Sequence, residues 1–301
     1  MRRFMPSAAL VLLLVASRDA GACSQCMCGT PFPAGIMGGV VPMKFTYGLE
    51  ERYLSKTNAL DEAPGSELEQ EHRLSAFALW RPHDRLALLG RLPYAMKQIT
   101  SQPTGEAESV ERAHGLGDAE LLAMVGLKQT NGDRPLALGL VGGFAAPTGA
   151  NELESASGER LDAHLQPGAG AWTGSAGLNF ALSAAGGMWE ASVVGRANGT
   201  NVHGYHYGNV VLYNAGFTSR ASHGVRALLQ VNGRSAERDL LDGGEVGENT
   251  GGTVIYAAPG ARWVSSFGLV LEAAVQIPVA QALYGVQTEH TTARVSLAMA
   301  H

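Results

Sequence analysis

Residues 115–149 read GLGDAELLAMVGLKQTNGDRPLALGLVGGFAAPTG. Leu121, Ala123, Val125 and Leu127 are apolar, and the positions between them include Asp118, Glu120 and Lys128. Asn131-Gly132-Asp133 interrupts the run, and Leu136, Leu138, Leu140 and Phe144 resume it. Period-two alternation on both sides of a tight turn predicts a β-hairpin with one apolar face.

The same pattern extends outward in both directions. Upstream, Met43, Phe45, Tyr47 and Leu49 alternate with Lys44, Thr46, Gly48 and Glu50; Leu74 to Trp80 and Leu86 to Met96 repeat it. Downstream it returns in Trp172–Leu182, Trp189–Val193, Tyr205–Phe217, Val225–Val231, Val254–Val264, Leu269–Val279 and Thr292–His301. About twelve strands result, each near the roughly 9–11 residues that a membrane-crossing strand needs. Short turns near His83, Asn131, Gly186, His223 and Gly268 alternate with longer loops near Asp61, Ser109, Glu154, Asn201, Gly244 and Gly285. An even strand count with long loops at one end predicts an all-β fold, an antiparallel transmembrane β-barrel over residues 40–301. It would lie in a bacterial outer membrane, in contact with its lipid, with both termini on the periplasmic side. A soluble sandwich also alternates, but with shorter strands and turns every 8–12 residues or so. Tyr47, Tyr53, Trp80, Tyr94, Trp172, Trp189, Tyr205, Tyr207, Trp263 and Tyr284 fall near strand ends, as interfacial girdles do.

Composition agrees. The 301 residues are 46% hydrophobic and 16% charged, with 39 glycines. Glycine richness without a G-X-Y period excludes collagen, and it disfavours helix by about 1 kcal/mol per position relative to Ala. A net charge of −5 and the lack of a basic run give no case for a nucleic-acid partner. Residues 1–22 read as a secretory signal: Arg2 and Arg3, a short apolar run from Ala8 to Ala16, then Ala20-Gly21-Ala22 as the cleavage site.

Residues 23–39 form a Cys/Gly/Pro-rich periplasmic lead segment containing Cys23, Cys26 and Cys28. Thiolates at these spacings suit a soft metal, Cu(I) or Zn(II), and so a periplasmic metal or redox partner. A disulfide in an oxidising compartment, or lipidation of Cys23, are the competing readings.

Gly115-Leu116-Gly117-Asp118, the hairpin strands and Ala146-Pro147-Thr148-Gly149 resemble the outer-membrane family named after the meta-pathway of phenol degradation. Tyr205-His206-Tyr207-Gly208-Asn209 is a weaker match to the same family. The resemblance covers Pro42 to His301, without the Cys-rich segment. It implies a barrel that passes small, often hydrophobic or aromatic, molecules, with Gly115, Gly117, Asp118, Pro147 and Gly149 as the shared motif.

The predicted lumen face carries Lys44, Glu50, Arg91, Asp118, Glu120, Lys128, Glu190, Arg196, Arg220, Arg226, Arg234, Glu272 and Arg294. Facing lipid at midplane, Arg or Lys would cost roughly 2–4 kcal/mol each. Such a mixed set fits either a hydrated pore or a barrel filled by its own ion pairs. The sequence has no G-x-S-x-G elbow and no H-E-x-x-H, so no catalytic residue is assigned and the chain reads as a non-enzyme. Two functions follow: a small-molecule channel or transporter, or a non-transporting barrel that anchors a periplasmic partner through the cysteines.

Overall fold

The computed structural model describes residues 44–60, 64–130, 134–184, 186–241 and 243–301. The expected signal, Cys23, Cys26 and Cys28, and the turn expected at Asn131-Gly132-Asp133 lie outside the described residues. The strands are β1 (Phe45–Ala59), β2 (Gly65–His83), β3 (Leu86–Pro103), β4 (Ser109–Leu116), β5 (Ala119–Thr130), β6 (Leu136–Ala146) and β7 (Thr173–Ala184). They continue as β8 (Gly187–Asn198), β9 (Val210–Ser219), β10 (Val225–Ala236), β11 (Gly252–Val264), β12 (Leu269–Leu283), β13 (Gln287–Glu289) and β14 (Thr292–Ala300).

Each strand pairs antiparallel with its neighbours, and β1 pairs with both β2 and β14, so the sheet closes. Both β4 and β5 lie along β3; they are two halves of one wall strand, parted at Gly117-Asp118. Likewise β13 and β14 share β1. The described chain is therefore a closed antiparallel barrel of twelve wall strands. Closure satisfies the ladder groups that an open edge would leave bare.

Several strands exceed the expected span, most of all β1 and β12 with 15 residues each, β2 with 19 and β3 with 18. The polar stretches 57–71 and 100–114, read from sequence as loops, are largely strand. Beyond the apolar band the outer face of these strands is polar and the inner face carries buried polar or charged side chains, among them Asn58, Glu69 and Glu71, so alternation fades while the ladder hydrogen bonds persist.

The apolar face of the opening hairpin points outward. Leu121, Val125, Leu127, Leu140 and Phe144 are exposed on the barrel wall, as are Tyr47, Leu49, Trp80, Leu178 and Trp189 elsewhere on it. The inward positions alternate with these and are buried, Glu50 and Arg52 among them. Tyr205 and Tyr207 depart from the girdle expectation. They precede β9 in a loop that folds inward, and both are buried there.

Candidate functional site: the barrel interior

Along β2 the inward positions are Glu69, Glu71, Arg73, Ser75, Phe77 and Leu79, all buried. One strand thus passes from charge to hydrocarbon as it approaches the short-turn end. On the β8–β12 side the order is reversed: Glu190, Arg262 and Glu272 are buried or paired close to the short turns, while Val210, Leu212, Val254 and Tyr256 are buried towards the long loops.

The charged part is built from pairs on one strand and across strands. Glu50 and Arg52 are two residues apart on β1, so both point inward, and Arg52 Nε donates to Glu50 Oε1 at 2.6 Å. Glu71 and Arg73 repeat the device on β2. Glu120 of β5 receives Arg91 of β3 at 3.1 Å and Arg196 of β8 at 2.8 Å. Glu272 of β12 receives Arg262 of β11 at 2.7 Å and Arg294 of β14 at 2.6 Å. Gln230 of β10 reaches Glu190 of β8 at 3.1 Å across Gly216, which has no side chain to intervene. Arg234 of β10 pairs with Glu289 of β13, and Tyr256 donates to the same carboxylate at 2.9 Å.

Beside smaller ones nearer the long loops, one apolar cluster includes Phe77, Leu79, Leu89, Leu122, Met124, Val141, Val194 and Val270. These come from β2, β3, β5, β6, β8 and β12, which lie on opposite sides of the barrel. The cluster therefore crosses the lumen rather than coating one wall.

The connection between β6 and β7, residues 147–172, covers the charged part from the other end. Gln166, fully buried, bonds the backbone of Leu153 and Leu161 at 3.0 Å each, which gathers the segment into a knot. Lys97 of β3 donates to the carbonyls of His164 and Gln166, both at 2.8 Å, and so ties it to the inner wall. Leu161 and Leu165 pack against Ile99 and Ala113. His164 lies 2.8 Å from the Tyr205 hydroxyl and 3.2 Å from Asp239. Asp239, buried in the β10–β11 connection, accepts from the Tyr205 hydroxyl at 2.6 Å and the Gly208 N–H at 2.7 Å. Burial alone would raise the Asp239 carboxyl. The His164 ring, the Gly208 N–H and the Tyr205 hydroxyl outweigh it and hold the carboxyl below its ordinary 3.8.

The motif residues meet where the wall is parted. Asp118 accepts the N–H of Gly149 at 2.9 Å and of Ala169 at 2.8 Å, which fastens both ends of the β6–β7 connection to the β4–β5 break. Gly117 donates to the Pro93 carbonyl at 2.8 Å. A Cβ on Gly149 would fall 2.7 Å from backbone atoms of both Gly117 and Gly168, so the three chains approach as only glycines allow. Gly115 has room only up to Ala150 and Pro167, where a Cβ would stand at 3.3 Å. Pro147 precedes Thr148, whose hydroxyl accepts the Ala119 N–H at 2.9 Å. Beside this junction lies a cavity of ≈ 60 Å³ bordered by Arg73, Arg91, Asp118, Glu120, Arg196 and Tyr207.

Of the predicted lumen residues, Glu50, Arg91, Glu120, Glu190, Arg234, Glu272 and Arg294 are buried inside, and Asp118, Arg196 and Arg226 are half-buried. Three lie elsewhere. Lys44 is exposed ahead of β1, Arg220 is exposed in the β9–β10 turn, and Lys128 is exposed beyond a register shift at Gly126/Lys128 that breaks the alternation. Sequence reading missed Arg52, Lys56, Glu69, Glu71, Arg73, Lys97, Arg262 and Glu289. Arg52 follows Glu50 by two and was within reach of the period; the β2 acids lay in a stretch read as loop.

No family model and no curated protein matches the sequence. Solved structures do match its shape. An outer membrane channel from Pseudomonas putida F1 superposes with a TM-score of 0.66 over 90% of this chain and 100% of that one, at 14% identity. The transport unit of the autotransporter AIDA-I from Escherichia coli gives 0.51 over 90% and 93%, at 11% identity. The fold is that of an outer-membrane barrel. At such identities the likeness concerns fold alone, and two proteins of different kinds share it.

Proposed function

We propose that this protein resides in a bacterial outer membrane, with both termini periplasmic, and is a channel or transporter for a small molecule rather than an enzyme. The observation that carries the reading is the change of polarity across the wall: an apolar exterior around a closed barrel whose interior is in large part ionic. Such a wall is at home in lipid and offers a polar path through it. The shape shared with the P. putida channel supports the same reading. Passage requires the β6–β7 connection and the apolar cluster to give way, since both cross the lumen. Membership of the phenol meta-pathway family, and with it a hydrophobic or aromatic cargo, is supported by the meeting of the Gly117, Asp118 and Gly149 motif residues at one structural junction.

The test is conductance of the purified, heat-modifiable barrel in planar bilayers. Discrete steps are expected, larger in a variant from which residues 153–165 are removed. A folded barrel that stays silent in both forms overturns the channel.

The ion pairs that fill the interior favour a second reading, a non-transporting barrel that holds a periplasmic metal or redox partner through Cys23, Cys26 and Cys28. Stoichiometric copper or zinc in the silent protein, lost on Cys26→Ser/Cys28→Ser substitution, is the outcome expected of that reading.

A further inference from the structure

We propose that the short-turn rim of the barrel is a binding surface for anionic phospholipid headgroups. Its exposed side chains include Lys44 ahead of β1, Arg85 in the β2–β3 turn, Lys128 and Arg134 flanking the β5–β6 connection, and Arg220 in the β9–β10 turn. Among the described residues Asp84 is the one exposed acidic side chain beside them. The long-loop end has the opposite sign. Glu106, Glu108, Glu152, Glu154, Glu159 and Glu245 are exposed there, and Arg112 is the one exposed basic side chain among the described residues.

Depth along the wall assigns the partner. Trp80 is exposed on the outer face five residues before Arg85, Phe45 adjoins Lys44, and Trp189 and Trp263 are exposed near the turns on either side of Arg220. Aromatic side chains of this kind sit at the boundary between hydrocarbon and headgroups. Cations just beyond them lie at headgroup depth. They also leave the barrel at four places, three in succession along β1 to β6 and the fourth between β9 and β10. A lipid leaflet meets all four at once, whereas a protein partner docked to one side would use a cluster. A cation held at an anionic membrane surface raises local headgroup association by up to about fivefold, and the effect weakens as salt shortens the screening length. The acidic opposite end supplies no such attraction, so the preference belongs to one leaflet. This inference is independent of whether the barrel conducts.

The full protein is reconstituted in phosphatidylcholine bilayers with spin-labelled phosphatidylglycerol or spin-labelled phosphatidylcholine, and the motionally restricted lipid is measured. Phosphatidylglycerol is expected to be favoured at least about threefold at low salt, falling towards parity at about 1 M salt, where the screening length is about 3 Å. Joint substitution of Lys44, Arg85, Lys128, Arg134 and Arg220 by Gln should abolish the preference, while E152Q/E154Q/E159Q should retain it. Equal association of the two lipids at low salt overturns the proposal, as does a preference that survives the fivefold variant. Capture of an acidic periplasmic protein by the rim, with the lipid ratio at unity, also overturns it. Heat-modifiable gel mobility checks folding of each variant; if the fivefold variant does not fold, the salt titration of the unaltered protein decides.

Discussion

Two parts of the barrel interior are held by different physics. In one part the inward positions are ionic: Glu50, Glu71, Glu120, Glu272 and Glu289 are each fixed by one or two guanidiniums, Glu69 by the Lys56 ammonium, and Glu190 by the Gln230 amide. Towards the short turns, on the β2–β6 side, the inward positions are Phe77, Leu79, Leu89, Leu122 and Met124, packed across the lumen. Ion pairs demand their partners, because a buried charge that loses one bears its full desolvation cost. Apolar packing demands only volume and shape, and it degrades in proportion to what is removed. The contrast suggests a division of labour: the ionic part keeps the wall in one register, and the apolar part closes the lumen.

That contrast can be broken from either side. The largest effect is expected from Glu272→Gln, which leaves Arg262 and Arg294 in low-dielectric surroundings without their shared carboxylate. A loss of about 3–5 kcal/mol is expected, read as a lower midpoint of unfolding in detergent. Leu122→Ala, on the apolar side, is expected to cost about 2–4 kcal/mol and, unlike Glu272→Gln, to increase conductance. A silent or unchanged channel in this variant would show that the cluster is not what closes the lumen. Gly149→Ala forces a Cβ against the backbones of Gly117 and Gly168. It should cost about 1–3 kcal/mol and speed proteolysis within residues 150–171, which hang from that junction.

A smaller effect concerns pH. The Asp239 carboxyl is held below its ordinary 3.8 when folded, so the stability it contributes is fully present above that value. It is lost as pH falls from 3.8 through the folded value. Midpoints measured from pH 5 to pH 2 should decline in the unaltered protein and flatten in Asp239→Asn; parallel curves would dismiss the His164–Asp239–Tyr205 link as a contributor. Smallest of all, Lys128→Gln, at an exposed position, should change stability by no more than about 0.5 kcal/mol.

Legibility in the sequence followed the same divide. Leu121, Val125, Leu140 and Phe144 were read as a wall because apolar residues recur with a period of two on both sides of the Asn131-Gly132-Asp133 stretch. The β2–β3 extensions were not read, since polar side chains on both faces erase that period while the ladder continues. The apolar cluster escaped for the opposite reason. Near Leu88-Leu89 and Leu121-Leu122 both faces are hydrocarbon, and a run apolar on both sides does not announce which face points outward. Lys128 was misplaced by a single register shift, which one-dimensional alternation has no means to show. The link from Asp118 to Gly149 and Ala169 joins residues 31 and 51 positions apart, a distance over which local pattern carries no information.

The sequence by itself determined the wall: β-strands of alternating polarity, twelve of them, with short turns at one end and long loops at the other. It did so because alternation and turn chemistry are local properties of a chain. Only the tertiary structure decided which charges share a partner, that the β6–β7 connection turns inward, and that hydrocarbon crosses the lumen. Those depend on the stagger of strands on opposite sides of a closed barrel, and closure brings together residues that no stretch of sequence holds side by side.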